Sequence, residues 1–81
     1  MARFDMRDSE IRDIEIRDEM IRLGQLLKLA GIAEDGVHAK DLLDADEVTV
    51  NGTIEFRRGR QLHDGDVIQV GNEQVRVVAR P

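Results

Sequence analysis

The sequence contains no cysteine, no tryptophan, no tyrosine and only one proline in 81 residues. Without cysteine the chain can form neither a disulfide framework nor a thiolate metal cluster, which fits a reducing compartment. No apolar run approaches the roughly 18 residues of a membrane span, and Met1–Glu10 carries charges where a secretory signal has an apolar stretch. We therefore expect a cytoplasmic protein.

The length of the chain limits what it can contain. Eighty-one residues are enough for one compact domain and too few for a catalytic domain beside a recognition domain. A chain this short buries only about 60% of the surface that its unfolded form exposes, so an enclosed substrate cavity would compete with the core for apolar residues. We expect functional groups on an outer surface, and a monomer.

Residues suited to catalysis or metal binding are few. Ser9 is the only serine, and neither His38 nor His63 has a plausible nucleophile to activate. The two histidines also lack a ligand spacing such as H-x-x-x-H, and His38 follows Asp35 by three residues, where a side chain commonly helps to cap a helix. We predict no enzymatic activity, no metal and no cofactor.

The charge is unevenly distributed. The formal net charge of -5 by itself disfavours nucleic acid, because phosphate binding is driven by lysine and arginine. However, the first 20 residues hold seven acids against four arginines, and residues 56–63 read FRRGRQLH with no acid. We therefore expect a basic patch within a domain at residues 12–81. Residues 1–11 are expected to be a flexible charged leader, because they lack an apolar face.

Apolar spacing predicts one strand followed by two helices. Ile14–Arg17 alternates like a strand, although Ile11, Ile14 and Ile21 could also share one side of a long helix. Apolar residues between 23 and 30 follow a helical period that ends at Gly31, and a second helix capped by Asp35 continues to residue 43. The short link makes a helix-turn-helix-like pair. Its outer face is expected to carry Gln25, Lys28, His38 and Lys40.

After residue 46 the apolar period becomes two, and Asn51-Gly52 supplies a hairpin turn. A two-residue loop would place Val48 and Val50 on the opposite face from Ile54 and Phe56. We therefore expect a longer loop or a bulge that brings all four side chains to the core. The two remaining strands are predicted at Val67–Val70 and Gln74–Ala79.

Four segments occur in the order found in a known family: IRLGQLLKLAGI, the helix at Asp35–Leu43, EVTVNG and EFRRGRQLHDGDVIQV. The chain resembles, over about residues 14–78, the RNA-binding domain named after ribosomal small-subunit protein S-four, the S4 domain. The resemblance implies an α+β fold, the alpha-L RNA-binding motif, with a leading strand, the helix pair and a small, mainly antiparallel sheet. It also implies a non-catalytic protein that binds structured RNA, either ribosomal RNA or tRNA, with ribosome association in some relatives.

The resemblance implies an RNA surface formed by the two helices and the adjoining hairpin. The candidate residues are Arg22, Gln25, Lys28, His38, Lys40, Asn51, Arg57, Arg58 and Arg60. Arginine forks grip phosphate in two-point geometry. Because Phe4 and Phe56 are the only aromatic residues, we expect recognition of phosphate and shape rather than base stacking. Without the resemblance, the arginine run would be interpreted as an ordinary solvated face.

The sequence departs from the family at three positions. Gly36 and Asp41 stand where many members have arginine or lysine, and Asp46 replaces the usual glycine after the second helix. We expect weaker RNA binding from the lost cations. The fold should survive at Asp46, because aspartate tolerates a left-handed conformation.

Two other functions compete with RNA binding. VNG followed by QLHDGDVIQV also resembles the sulfur carriers of the β-grasp fold, but their chemistry needs a Gly-Gly tail, and this sequence ends Ala79-Arg80-Pro81. A protein-interaction adaptor that uses the acidic leader is the second alternative. Nuclease treatment distinguishes an adaptor from an RNA binder, because only RNA-mediated association is lost.

Overall fold

The computed structural model describes residues 10–80, so the predicted leader at residues 1–11 lies almost entirely outside the described residues. Seven strands and two helices are present in this part of the chain. They are β1 (Arg12–Ile16), β2 (Ile21–Arg22), α1 (Leu23–Leu29), α2 (Gly36–Asp44), β3 (Val48–Val50), β4 (Thr53–Ile54), β5 (Gln61–Leu62), β6 (Val67–Val70) and β7 (Glu73–Ala79). The predicted α+β class is confirmed. Of the helices in residues 10–80, none is long and apolar enough to cross a membrane.

Five of the seven strands form one sheet in the order β1-β7-β6-β3-β4. β1 runs parallel to β7, with Arg12 opposite Val75 and Ile16 opposite Ala79, and all other pairs are antiparallel. The predicted leading strand is therefore confirmed, and the alternative of a long helix is wrong. Sheet and helices share one apolar core, in which side chains such as Leu26 and Val75 are fully buried.

Both helices begin and end within one residue of the predicted bounds. Gly31 has φ 77°, the left-handed conformation that stops α1. The Asp35 carboxylate accepts a hydrogen bond of 2.8 Å from the His38 amide and so caps α2. α2 is followed by Asp46 at φ 58°, which confirms the left-handed conformation expected there.

The hairpin corrects one prediction. Val50 pairs with Thr53 across a loop of two residues, in which Asn51 and Gly52 both have positive φ, at 52° and 88°. The expected longer loop or bulge is wrong, because this two-residue turn already matches the twist of the strands. Val48 and Val50 are buried, whereas the two apolar residues predicted to join them, Ile54 and Phe56, are 52% and 67% exposed.

A second sheet was not predicted. β2 pairs with β5 through Ile21 opposite Leu62 and Arg22 opposite Gln61. Each strand has only two residues, too few for a periodic pattern to reveal. This pair brings the segment between β4 and β5, with its three arginines, to the start of α1.

Candidate nucleic-acid interface

The segment Glu55–Arg60, hereafter the arginine loop, packs its backbone against the first turn of α1. The Leu23 amide donates to the Arg60 carbonyl at 2.8 Å, and the Gly24 amide donates to the Arg58 carbonyl at 2.9 Å. The first amides of a helix have no partner within the helix, so these bonds supply acceptors that they need. The arginine loop is thereby fixed to α1.

Gly24 permits this close approach. A Cβ atom at this position would lie 2.5 Å from Cγ of Arg58 and 3.3 Å from its Cδ. Any side chain larger than hydrogen would therefore displace the arginine. Sequence reasoning treated Gly24 only as part of a helical segment and did not identify this role, because the contact is between elements distant in the chain.

A buried carboxylate organises the arginine loop. Glu55 is only 5% exposed and is the one charged residue of 10–80 that is buried. Its carboxylate accepts hydrogen bonds from Arg57 Nε at 3.0 Å and Arg60 Nη1 at 2.7 Å, and from the backbone amides of Phe56 and Arg57 at 3.1 and 3.0 Å. The hydrogen bond from Arg57 is the largest cause that lowers the Glu55 pKa to about 2. Glu55 therefore remains ionised at neutral pH.

Sequence analysis did not identify Glu55 as part of the site. The alternation of residues 53–56 placed Ile54 and Phe56 inward, whereas the structure turns Glu55 inward between them. The available signal was a lone acid two residues ahead of an arginine run. An acid at this spacing can neutralise the arginines and hold their loop in one conformation.

A groove lies where α1, the start of α2 and the arginine loop meet. Its volume is about 280 Å³. The lining residues are Arg22, Gly24, Gln25, Lys28, Gly36, Ala39, Arg58 and Gly59. Three cations and one amide thus converge on small residues, and no carboxylate of the described residues lines this groove. Within residues 10–80, Arg22, Lys28 and Arg58 form no ion pairs.

Arg57 and Arg60 lie beside this groove rather than in it. They line a second depression, together with Gly59, Gln61, His63 and Asp66. Both arginines share the Glu55 carboxylate, and this three-residue cluster therefore carries a net charge of +1 rather than +2. Arg57 remains well exposed, with a side chain 67% accessible to solvent.

Lys40 is partly neutralised. Its Nζ lies 2.8 Å from Oδ2 of Asp44, one helical turn later in α2, and this hydrogen bond raises the Lys40 pKa. Arg58 acts in the opposite direction on the same pKa, because two like charges repel. Lys40 does not line the groove.

Two of the predicted site residues have structural partners. His38 Nδ1 accepts a hydrogen bond of 3.1 Å from the Glu34 amide. The Asn51 amide group donates to Asp66 at 3.1 Å and accepts from the Val67 amide at 3.0 Å. Neither residue lines the groove. No group of three or more potential metal ligands occurs in the part of the chain that the structure describes.

The family comparison agrees with this architecture. A model described as S4 domain matches residues 14–78. A protein of Bacillus subtilis, named "Probable ribosome maturation protein RlbA", is 50% identical over 52 residues, which cover 64% of this chain and 73% of that protein. A protein of Escherichia coli, named "Putative RNA-binding protein YbcJ", is 34% identical over 59 residues, which cover 73% and 84% of the two chains. A Shigella flexneri protein, named "Uncharacterized protein YbcJ", matches over the same shares with the same identity.

Proposed function

The chain belongs to the S4 domain family, and from that premise we propose that it is a non-catalytic RNA-binding protein that recognises structured RNA through the groove. The observation that carries this proposal is the convergence of Arg22, Lys28 and Arg58 on one surface, with Gln25 between them. A protein of net charge -5 would repel phosphate unless its cations were gathered locally. The groove brings three cations together in this way.

The groove fits the backbone of a duplex-like RNA. Gly36, Ala39 and Gly59 are the small residues of its lining, and their size leaves room for a phosphate or ribose to approach the cations. Guanidinium groups bind phosphate oxygens in pairs, and the Gln25 amide can both donate to and accept from a 2′-hydroxyl. Such contacts read the shape of RNA and its backbone rather than its sequence.

We further propose that the target is ribosomal RNA. The Bacillus subtilis relative is named as a ribosome maturation protein, which supports this choice over tRNA. Ribosomal RNA as partner also implies a cytoplasmic location. The S4 match favours neither a sulfur carrier nor an adaptor that acts without RNA.

Crosslinking in cells followed by sequencing of the bound RNA tests the target, with ribosome-gradient fractionation alongside. The decisive variant is Arg22→Ala/Lys28→Ala/Arg58→Ala. Its charge-matched control is Arg17→Ala/Arg76→Ala/Arg80→Ala, which removes three exposed arginines that do not line the groove. We expect ribosomal RNA crosslinks from the wild type and the control, and a loss of about tenfold or more from the groove variant.

Two outcomes would contradict the proposal. If the groove variant and the control crosslink equally, the groove does not hold the RNA. If association with ribosomal particles survives complete nuclease digestion of accessible RNA, a protein contact carries it. If most crosslinks are to tRNA, the protein binds RNA as proposed, but the proposal that its target is ribosomal RNA is wrong.

A further inference from the structure

The exposure of Phe56 bears on two expectations from the sequence, that its side chain joins the core and that RNA is recognised without base stacking. Phe56 is the only aromatic residue of the described chain, and 67% of it is exposed. A single exposed apolar residue is common and needs no functional explanation. The surroundings of Phe56 distinguish it from such a residue.

The backbone that carries Phe56 is held rigidly. Its amide donates to the buried Glu55 carboxylate at 3.1 Å, and the next amide, of Arg57, donates to the same oxygen at 3.0 Å. On the preceding side, the Glu55 amide donates to the Val48 carbonyl at 2.9 Å, which ties the segment to β3. Phe56 is therefore presented to solvent from a fixed platform, which reduces the entropy lost when a ligand covers the ring.

The exposed apolar area around Phe56 is small compared with a whole protein interface and close to the size of one base. Phe56 and its exposed neighbour Ile54 together present on the order of 200 Å². Each partner in a standard protein interface buries about 800 Å². One face of a nucleobase, in contrast, is covered by a single aromatic ring.

The charge beside the ring also favours a nucleotide. Arg57 follows Phe56 directly, and its guanidinium is exposed while it remains anchored to Glu55. Arg58 comes next and lines the groove. The only acid in the arginine loop, Glu55, is buried and paired, so that it does not face a phosphate.

We infer that Phe56 is a stacking platform for one unpaired nucleobase, with Arg57 binding the phosphate next to that base. This inference rests on the proposed function and refines its substrate class to a duplex-like RNA with a bulged or flipped base beside the groove. The groove binds the duplex backbone, and Phe56 covers the face of the base that leaves the stack. The preference for such RNA comes from stacking and not from charge.

The test compares two hairpin RNAs that differ by one bulged adenosine, each titrated with the full chain. Replacing the bulged base with 2-aminopurine gives a fluorescent signal that is quenched when the base stacks. The variants are Phe56→Leu, which keeps an apolar side chain, and Phe56→Tyr, which keeps a ring. Ile54→Ala is the control for loss of a neighbouring exposed apolar group.

We expect the wild type to bind the bulged hairpin about 5- to 100-fold more tightly than the unbulged one, as loss of one stacked base implies. Phe56→Leu should bind both hairpins equally and lose the quenching, whereas Phe56→Tyr and Ile54→Ala should retain both properties. The salt dependence of binding should be the same for Phe56→Leu and the wild type, because no cation is removed.

The results separate this inference from the proposed function. If Phe56→Leu keeps the preference for the bulge, or if the wild type shows none, stacking on Phe56 is overturned while salt-dependent binding of both hairpins still supports the groove. If the wild type binds neither hairpin at low salt, both proposals fail. If Phe56→Leu changes only self-association in sedimentation, the ring is a contact between copies of the chain and the inference is overturned.

Discussion

Glu55 determines how the arginine loop is built, and its role follows from burial combined with charge. Burying a carboxylate raises the free energy of the folded state unless hydrogen bonds satisfy the charge. Here two arginine side chains and two backbone amides satisfy it. The same interaction neutralises part of the basic run, so counting arginines along the sequence overstates the charge available to RNA.

Glu55→Gln should lower the free energy of unfolding at pH 7 by about 1–3 kcal/mol, because charged hydrogen bonds inside the loop are weakened. The folded pKa of about 2 lies below the ordinary value of 4.5. The ionised carboxylate therefore stabilises the fold fully above about pH 4.5, and this stabilisation is lost as the pH falls toward 2. The deficit of Glu55→Gln should narrow over that window.

Urea unfolding of both proteins from pH 7 to pH 2.5 measures this effect. Glu73→Gln is the control, since Glu73 is exposed and makes only a 3.6 Å ion pair with Arg12. A deficit of Glu55→Gln that stays constant across the pH range would show that burial alone, and not the charge of Glu55, stabilises the loop.

Gly24→Ala should weaken RNA binding without unfolding the domain. The new methyl group would meet Cγ of Arg58 at 2.5 Å, and the flexible arginine would move away from the groove. The free energy of unfolding should fall by about 1–2 kcal/mol, because Cγ lies near the backbone and Arg58 must leave its χ1 rotamer, a cost that the helix preference of alanine offsets only in part. RNA titration should show a several-fold loss, close to that of Arg58→Ala.

A double-mutant cycle identifies the cause of that loss. In an Arg58→Ala background, Gly24→Ala should have almost no further effect on RNA affinity. If the two losses add fully, Gly24 contacts the RNA itself and does not act through Arg58.

At the scale of elements, periodicity predicted both helices, the leading strand and the last two strands, because each has enough residues for its pattern to repeat. It failed where tertiary contacts decide the conformation. The predicted hairpin register was wrong, because we expected the apolar side chains of Ile54 and Phe56 to point into the core. In the structure Glu55 points inward instead. Likewise, Arg22, Gln25 and Lys28 were predicted as site residues from the family pattern, but their meeting with Arg58 depends on the short pair of β2 and β5.

The end of α2 offers a prediction about stability. Asp46 has φ 58°, a conformation that glycine adopts more easily than any residue with a side chain. Asp46→Gly should therefore raise the free energy of unfolding by about 0.5–1 kcal/mol. Ala45→Gly is the matched control and should lower it by a similar amount, because Ala45 has φ -86° and gains nothing from glycine. Urea unfolding of both variants and the wild type measures these changes in the free energy of unfolding. If Asp46→Gly is less stable than the wild type, the Asp46 side chain makes a stabilising contact.

At the scale of the whole molecule, RNA affinity reflects a balance between a net charge of -5 and a local cluster of cations. Arg57 and Arg60 share a carboxylate, and Lys40 is paired with Asp44. The cations of the groove, Arg22, Lys28 and Arg58, are therefore the ones expected to release counterions when the backbone of an unbulged duplex binds, and Arg57 adds a phosphate contact only beside an unpaired base. The acids elsewhere on the domain reduce its affinity for any RNA that does not enter the groove.

This balance predicts the salt dependence of RNA binding. With about three phosphates neutralised on an unbulged hairpin RNA, the slope of log affinity against log salt should be about -2.5 to -3. Each single replacement of a groove cation should reduce the magnitude of this slope by about one, as Arg22→Ala, Lys28→Ala or Arg58→Ala. Lys40→Ala should reduce the magnitude by less, because Lys40 already has Asp44 as a partner. Titration of one hairpin RNA across a salt series, with Arg76→Ala as a control at an arginine paired with Asp13, measures all of these slopes. If Arg76→Ala changes the slope as much as Arg58→Ala does, the RNA responds to the overall charge of the protein and the groove is not its binding site.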